Sequence, residues 1–88
     1  MPTLSQFFGI NIYMYYNDNQ KHHKPHMHVS YGDFKAVIDF DGEVLEGNLS
    51  TKQYNLVCAW IKLHIQELNN AWIKAVAEED PGKINPLR

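Results

Sequence analysis

Apolar and polar residues alternate along the first half of the chain, and this period of two predicts β-strands. Apolar side chains occupy every second position within residues 9–16, which is the spacing of one face of a strand. Gly32-Asp33 and Asp41-Gly42 are two-residue turn signals that separate further alternating segments and predict β-hairpins. The expected strands are residues 9–16, 25–31, 34–40 and 43–47. Together they form a four-stranded antiparallel β-meander.

The second half of the chain changes to the spacing of an α-helix. Apolar residues recur at intervals of three and four through residues 57–77, and Pro81 then ends the pattern. Ser50 and Gln53 have the spacing of a capping box, which predicts that the helix begins near Thr51. One helix of this extent is about 40 Å long at 1.5 Å per residue. The expected fold is therefore α+β, with the meander packed on one long C-terminal α-helix.

The predicted helix has more apolar surface than one sheet can cover. A strand of six residues spans only about 20 Å, so the helix should overhang the sheet. We therefore expect a second contact, made by residues 7–8, by the tail at 84–87, or by another subunit in a homo-oligomer. His64 lies on the apolar arc of the helix and is expected to be a core residue hydrogen-bonded to backbone or to Tyr31.

Length, composition and charge restrict the class of protein. The 88 residues, 44% of them apolar, predict one globular domain over residues 1–88. The net charge of −2 does not favour nucleic acid as a partner, although it leaves local patches open. A single cysteine, Cys58, excludes an intrachain disulfide and suits a reducing compartment. The beginning of the chain lacks the features of a signal peptide, and no apolar run is long enough to span a bilayer. We expect a cytoplasmic protein with no membrane partner.

Four of the five histidines lie within residues 22–28. Imidazole is the side chain whose unperturbed pKa lies near neutrality, so this cluster can bind metal, transfer protons or contact phosphate. His22 and His23 belong to the predicted loop before the second strand, whereas His26 and His28 belong to the strand itself. The site prediction therefore rests on the strand histidines His26 and His28.

Strand register predicts which groups accompany the two strand histidines. With Gly32-Asp33 as the turn, residues whose numbers sum to 65 face one another, so His26 faces Asp39. His26 and His28 project to the same side about 6.5–7 Å apart. Glu46 is expected on that side as well, and the side is expected to point away from the core and the helix.

This arrangement leaves three interpretations open. His26 and His28 could bind Zn²⁺ or another divalent transition metal, with a third ligand from Asp39, Glu46 or the loop histidines; the metal would serve a phosphoesterase, sensing or storage. In a metal-independent ribonuclease, His26 oriented by Asp39 would be the general base and His28 the acid, with Tyr13 or Lys35 at the phosphate. The histidines could also be solvated or partner-facing residues, and the tyrosines near them could stack on nucleic acid.

Several motifs are shared with a known family. They include Phe7-Phe8-Gly9-Ile10, Pro25-His26-Met27-His28, Gly42-Glu43-Val44-Leu45-Glu46-Gly47 and Ile84-Asn85-Pro86-Leu87. On these residues the chain resembles the bacterial domain of unknown function family 4160. The resemblance implies a compact prokaryotic protein that is often encoded beside another small domain, in pairs that look like toxin–antitoxin modules. It implies no reaction, no cofactor and no catalytic residues.

The preferred interpretation is a protein-binding component of such a pair, whose partner is the neighbouring small protein of the same locus. The wide apolar face of the helix or the open sheet would hold the partner. The alternative is an enzyme, a ribonuclease or a metal-dependent phosphoesterase that uses the strand face of His26 and His28.

Overall fold

A computed structural model of the chain describes residues 3–15 and 24–87. These residues form a five-stranded antiparallel sheet, with the strands side by side in chain order, followed by two helices. The strands are β1 (Thr3–Phe7), β2 (Ile10–Tyr13), β3 (His26–Tyr31), β4 (Phe34–Asp39) and β5 (Val44–Gly47), and the helices are α1 (Thr51–Leu63) and α2 (Ile65–Val76). The α+β class and the antiparallel meander are confirmed. The prediction of four strands and one long helix was wrong in detail.

The hairpin of β3 and β4 has the predicted register. His26 faces Asp39 and His28 faces Val37, because Gly32, at a φ of 57°, allows the tight turn between the strands. The side chains of β3 therefore alternate between the two sheet faces as the sequence predicted.

The register between β4 and β5 changes part-way along the pair. The Asp41-Gly42 turn signal predicts that Val37 faces Glu46 and that Asp39 faces Val44. Glu46 does face Val37, but Val44 faces Ile38. One extra residue in β5 forms a β-bulge between these two pairs, and a bulge of this kind shifts every later pair by one position.

Strand β1 was not predicted because its sequence lacks a clear period of two. Leu4 and Phe7 are both buried although they are three residues apart, since the register shifts between Thr3 and Ser5. The turn that follows has the sequence Phe8-Gly9, and both residues have positive φ, 50° and 79°. Phenylalanine is rare in that conformation, so the sequence carried no signal for the first hairpin.

The helical segment is interrupted at His64, where φ is −122° and ψ is 26°. The backbone N–H of His64 bonds to the carbonyls of Ile61 and Trp60, both at 3.1 Å, and ends α1 there. The two helices, of 13 and 12 residues, are each about 18–20 Å long and match the length of a strand. The longest principal-axis extent of the molecule is 33 Å, so the predicted 40 Å helix and its overhang were wrong.

Helix α1 begins at Thr51 as predicted, but the capping differs from the predicted capping box. The Ser50 hydroxyl bonds to the side-chain oxygen of Gln53, and no side chain caps the backbone at this end. No helix formed by the described residues combines the length and the apolar composition needed to cross a membrane.

Two of the three predicted second contacts of the helical segment are present, both at Trp60. The ring of Phe7 packs 5.6 Å from the Trp60 ring, and the Trp60 Nε1–H donates to the carbonyl oxygen of Asn85 at 2.8 Å. The tail also lies beside β1, where the N–H of Ile84 donates to the carbonyl of Leu4 at 2.8 Å. The tail and β1 together cover apolar surface that the sheet alone would leave exposed.

The core joins one face of the sheet to both helices. Its main members are Ile10, Ile12, Met27, Val29, Ile38, Val57, Trp60, Leu68, Ala71 and Ala75. His64 borders this core, with its ring 5.5 Å from that of Trp60. Its Nδ1 lies 2.7 Å from a carboxylate oxygen of Glu67, so a side chain on the next helical turn takes the place of the expected backbone or Tyr31 partner.

Candidate functional site

The sheet face opposite the core carries the predicted histidines and divides into two parts. At one end, His26 and Asp39 are almost completely enclosed, with 1% exposure each. His28, two residues along β3, is half-buried and lines an open groove. The predicted pair is thus together on one face, with ring centroids 5.6 Å apart, but in two different environments.

His26 is enclosed by a residue from the helical segment. The ring of Trp72, in α2, lies 4.9 Å from the His26 ring, a contact that differs from the expectation that His26 points away from the helix. The His26 Nδ1 lies 2.7 Å from the carbonyl oxygen of Lys24. Since a carbonyl only accepts, Nδ1 must carry the proton and donate.

Asp39 holds the turn that connects β4 to β5. Its Oδ1 accepts hydrogen bonds from the backbone N–H groups of Asp41, at 2.9 Å, and Glu43, at 2.8 Å. Its Oδ2 forms an ion pair with the Lys24 ammonium at 2.7 Å, and that ammonium also lies 3.4 Å from the Glu43 carboxylate. These bonds give Asp39 a structural function at the turn.

The same contacts determine the charge of Asp39. Burial acts to raise the pKa of the carboxyl, but the Lys24 ammonium and the two backbone N–H groups outweigh it and lower the pKa below its usual value. The hydrogen bond with Asp39 raises the pKa of Lys24 in turn. Both groups are therefore charged throughout the neutral range.

Three aromatic rings form one wall of the groove. The His28 ring is stacked on Tyr13, with centroids 5.5 Å apart and planes inclined by 17°, and meets Tyr15 edge to face at 4.5 Å. Tyr13 and Tyr15 are 5.8 Å apart and nearly perpendicular. Burial, together with the neighbouring phenol of Tyr15 and its hydrogen bond, raises the pKa of Tyr13. The Tyr13 phenol is therefore neutral near pH 7.

The groove has a volume of about 330 Å³ and extends across β2 to β5. It is lined by Tyr13, Tyr15, His28, Lys35, Ala36, Val37, Glu46 and Gly47. The lining thus combines aromatic surface, a cation at Lys35 and a carboxylate at Glu46. Such a groove can hold a planar polar group.

The metal and catalytic hypotheses receive different answers. Among residues 3–15 and 24–87, no group of three His, Cys, Asp or Glu side chains could hold a metal ion, so Asp39 and Glu46 do not complete a set with His26 and His28. His22 and His23 lie outside the described residues. The catalytic roles of His26, His28 and Asp39 stay a prediction, and substrate would have to displace Trp72 to reach the His26 ring.

Sequence reasoning identified His28, Tyr13, Tyr15 and Lys35 but missed Trp72. The alternation of the first strand predicts Tyr13 and Tyr15 on the histidine face or its rim, although it does not predict the contact of the Tyr15 ring with the His28 ring. Trp72 was assigned to the helical core, because its three-four spacing with neighbouring apolar residues carries no information about a contact with β3.

With this geometry established, the chain can be compared with known proteins. The model of one family, "Domain of unknown function (DUF4160)", matches residues 9–73. The chain belongs to this family. The DUF4160 match includes every groove-lining residue and Trp72, whereas β1 and the tail lie outside it. No curated protein and no solved structure matches the chain significantly.

Proposed function

We propose that the protein is the binding component of a two-protein pair, and that its partner, the small protein encoded beside it, adds an extended segment to the outer edge of β5. The gene pairing is what the family resemblance implies. The observation that carries the proposal is the difference between the two edges of the sheet.

The edge at β1 is closed by the tail of the chain through the bond from the Ile84 N–H to the Leu4 carbonyl. The edge at β5 has no such cover within residues 3–15 and 24–87. The backbone bond next to the start of β5 is made with β4 and not with a group outside the sheet: the Asp39 N–H donates to the Glu43 carbonyl. An uncovered strand edge is a template for pairing with another chain.

The backbone orientation of Val44 leaves hydrogen-bonding groups available to a further strand at this edge. The bond from the Asp39 N–H to the Glu43 carbonyl flanks the pair of Val44 with Ile38, which makes it a non-hydrogen-bonded pair of the antiparallel ladder. The N–H and C=O of Val44 therefore point away from β4, towards an incoming strand. The Val44 side chain is 40% exposed and adds an apolar contact beside these groups.

The wide helix face, the other surface considered for a partner, is less suitable. Phe7 and the tail cover Trp60, and the exposed apolar side chains of the helices, such as Leu63 and Ile73, are separated by polar positions. Isolated exposed apolar residues are common on protein surfaces and need no partner. The enzyme alternative is also less suitable, because His26 is enclosed and both oxygens of Asp39 are engaged, Oδ1 by the backbone of the turn and Oδ2 by the Lys24 ammonium.

The experiment is co-expression of the tagged protein with the neighbouring gene product, comparing native chain with Val44→Pro and Val44→Thr. Proline removes the outward N–H but no β4–β5 hydrogen bond, and it is tolerated at the first residue of an edge strand. We expect Val44→Pro to weaken the complex about tenfold, as the loss of one backbone hydrogen bond and the steric effect of the ring require. Val44→Thr keeps the N–H and should bind like the native chain.

Circular dichroism confirms that both variants are folded before binding is compared. Ile73→Lys, at a helix residue that is 66% exposed, tests the other surface and should leave the complex unchanged. A complex that survives Val44→Pro but is lost in Ile73→Lys would contradict the edge proposal in favour of the helix face.

A further inference from the structure

The groove around His28 has the chemistry of a stacking site. Tyr13 and His28 are nearly parallel on neighbouring strands. The Tyr15 ring stands nearly perpendicular beside both of them, 4.5 Å from His28 and 5.8 Å from Tyr13. Tyr15 is 41% exposed, so part of its ring surface faces solvent rather than protein. An exposed aromatic ring held in place by two others presents a rigid π-surface to a flat ligand.

The polar groups of the groove restrict what that flat ligand can be. Lys35 is exposed and supplies an ammonium suited to a phosphate. Glu46 on the neighbouring strand supplies carboxylate oxygens, which accept hydrogen bonds from N–H groups. A base carries N–H donors on its edge and is joined through its sugar to a phosphate. A volume of about 330 Å³ is at the lower end of the range for small-ligand sites, which suits one nucleotide rather than a larger ligand.

The position of the groove on the sheet also favours a nucleobase as the ligand. Within residues 3–15 and 24–87, the groove lies on the sheet face opposite the core and is lined by residues of β2 to β5 and by Tyr15. Several protein modules stack the bases of single strands on the face of an antiparallel sheet in this way. The net charge of −2 and the carboxylate in the groove argue against duplex binding through backbone phosphates. Recognition would depend on stacking, with one phosphate contact.

We infer that this groove binds a nucleobase, presented by a free nucleotide or by a single-stranded nucleic acid, which stacks on Tyr15 beside His28 with its phosphate at Lys35. The site lies above the sheet face, whereas strand addition at β5 takes place in the plane of the sheet. The inference is therefore independent of the proposed partner: Val44→Pro should leave nucleobase binding unchanged.

The test is fluorescence anisotropy with labelled single-stranded RNA and DNA of about eight nucleotides, a length within the range that one stacking domain covers. A duplex of the same sequence and the free nucleotides AMP, GMP, CMP and UMP as competitors complete the set. Tyr15→Leu should weaken single-strand binding on the order of tenfold, the effect expected for one stacked base. Tyr15→Phe keeps the ring and should bind like the native chain, as should Phe34→Leu, at an exposed aromatic residue outside the groove.

Salt dependence separates stacking from charge. With one phosphate contact, the logarithm of the binding constant should fall against the logarithm of salt concentration with a slope of about −0.7, and Lys35→Met should bring it near zero. Competition by a free nucleotide identifies that source of the base, and binding of the strand alone identifies the other; both support the site. Absence of saturable binding to all of these ligands at millimolar protein, equal affinity for duplex, or native affinity in Tyr15→Leu would overturn the inference.

Discussion

Asp39→Asn is the substitution that most directly tests the structural role of the carboxylate beside His26. Asparagine has nearly the same shape, and its side-chain oxygen can still accept the N–H bonds of Asp41 and Glu43. It loses the negative charge that pairs with Lys24, and its amide would place a donor beside that ammonium. The variant therefore removes charge from an enclosed position without creating a cavity.

The size of the effect follows from the number of bonds that lose their charge. Two backbone N–H groups donate to Oδ1 at 2.8 and 2.9 Å. A hydrogen bond to a charged group contributes about 1 kcal/mol more than a neutral one, so the two together account for about 2 kcal/mol. We assign no separate value to the ion pair, because the Lys24 side chain is 53% exposed and solvent screens it. For a chain of this size, 2 kcal/mol lowers Tm by about 8–16 °C.

The effect should depend on pH in a defined direction. The pKa of Asp39 is lowered in the folded protein, so its stabilising contribution is fully present above the unfolded value of about 3.9 and is lost as pH falls through the folded pKa. Urea unfolding of native protein and Asp39→Asn should therefore differ most at neutral pH. The difference should decrease as the pH falls below about 4.

Asp33→Asn is the matched control, since Asp33 is an exposed residue in the turn between β3 and β4. It should change the free energy of unfolding by less than about 0.5 kcal/mol. A difference between native and Asp39→Asn that is the same at pH 3 and pH 7, or that does not exceed the control, would refute the assignment of a charged, turn-holding carboxylate.

Two further substitutions test the sheet and the tail. Gly47→Ala should destabilise the protein by about 3 kcal/mol or more in urea unfolding, because Gly47 has a φ of 74° and a Cβ there would overlap the Lys35 carbonyl. Gly32→Ala is the control: Gly32 has a φ of 57° but open space around it, so the substitution should cost only about 1 kcal/mol. Equal costs at the two positions would contradict the steric argument. Trp60→Phe removes the bond to the Asn85 carbonyl and part of a fully buried side chain, so it should cost about 2 kcal/mol or more. Hydrogen exchange of the tail should become faster, and unchanged exchange would argue that the bond does not hold the tail.

The parts of the fold that could be predicted are those with local signals. The hairpin of β3 and β4 was predictable because Gly32-Asp33 provides the turn and the alternation on both sides allows only one register without exposing core residues such as Met27 and Ile38. The β5 bulge has no comparable signal, because one extra residue changes no composition and interrupts a strand that is only four residues long.

The missed elements depend on conformations that sequence patterns do not report. The Phe8-Gly9 turn places phenylalanine at positive φ, where asparagine or glycine would have indicated a hairpin. The break at His64 occurs without proline or glycine, so the three-four periodicity continues across it. In both places the backbone departs from what the local sequence favours.

The sequence predicted that His26 and His28 share a sheet face, but it did not predict that only His26 is enclosed. This difference in burial affects how an assay of histidine variants should be interpreted. Register places His26 and His28 on one face, but the enclosure of His26 requires Trp72, more than 40 residues further along the chain. Loss of a buried ring destabilises a protein whatever its function, so loss of activity in His26→Ala cannot by itself indicate catalysis. His28 lines the groove and is only half-buried. An effect of His28→Gln on binding, at unchanged stability, is the observation that would connect the histidine segment to function.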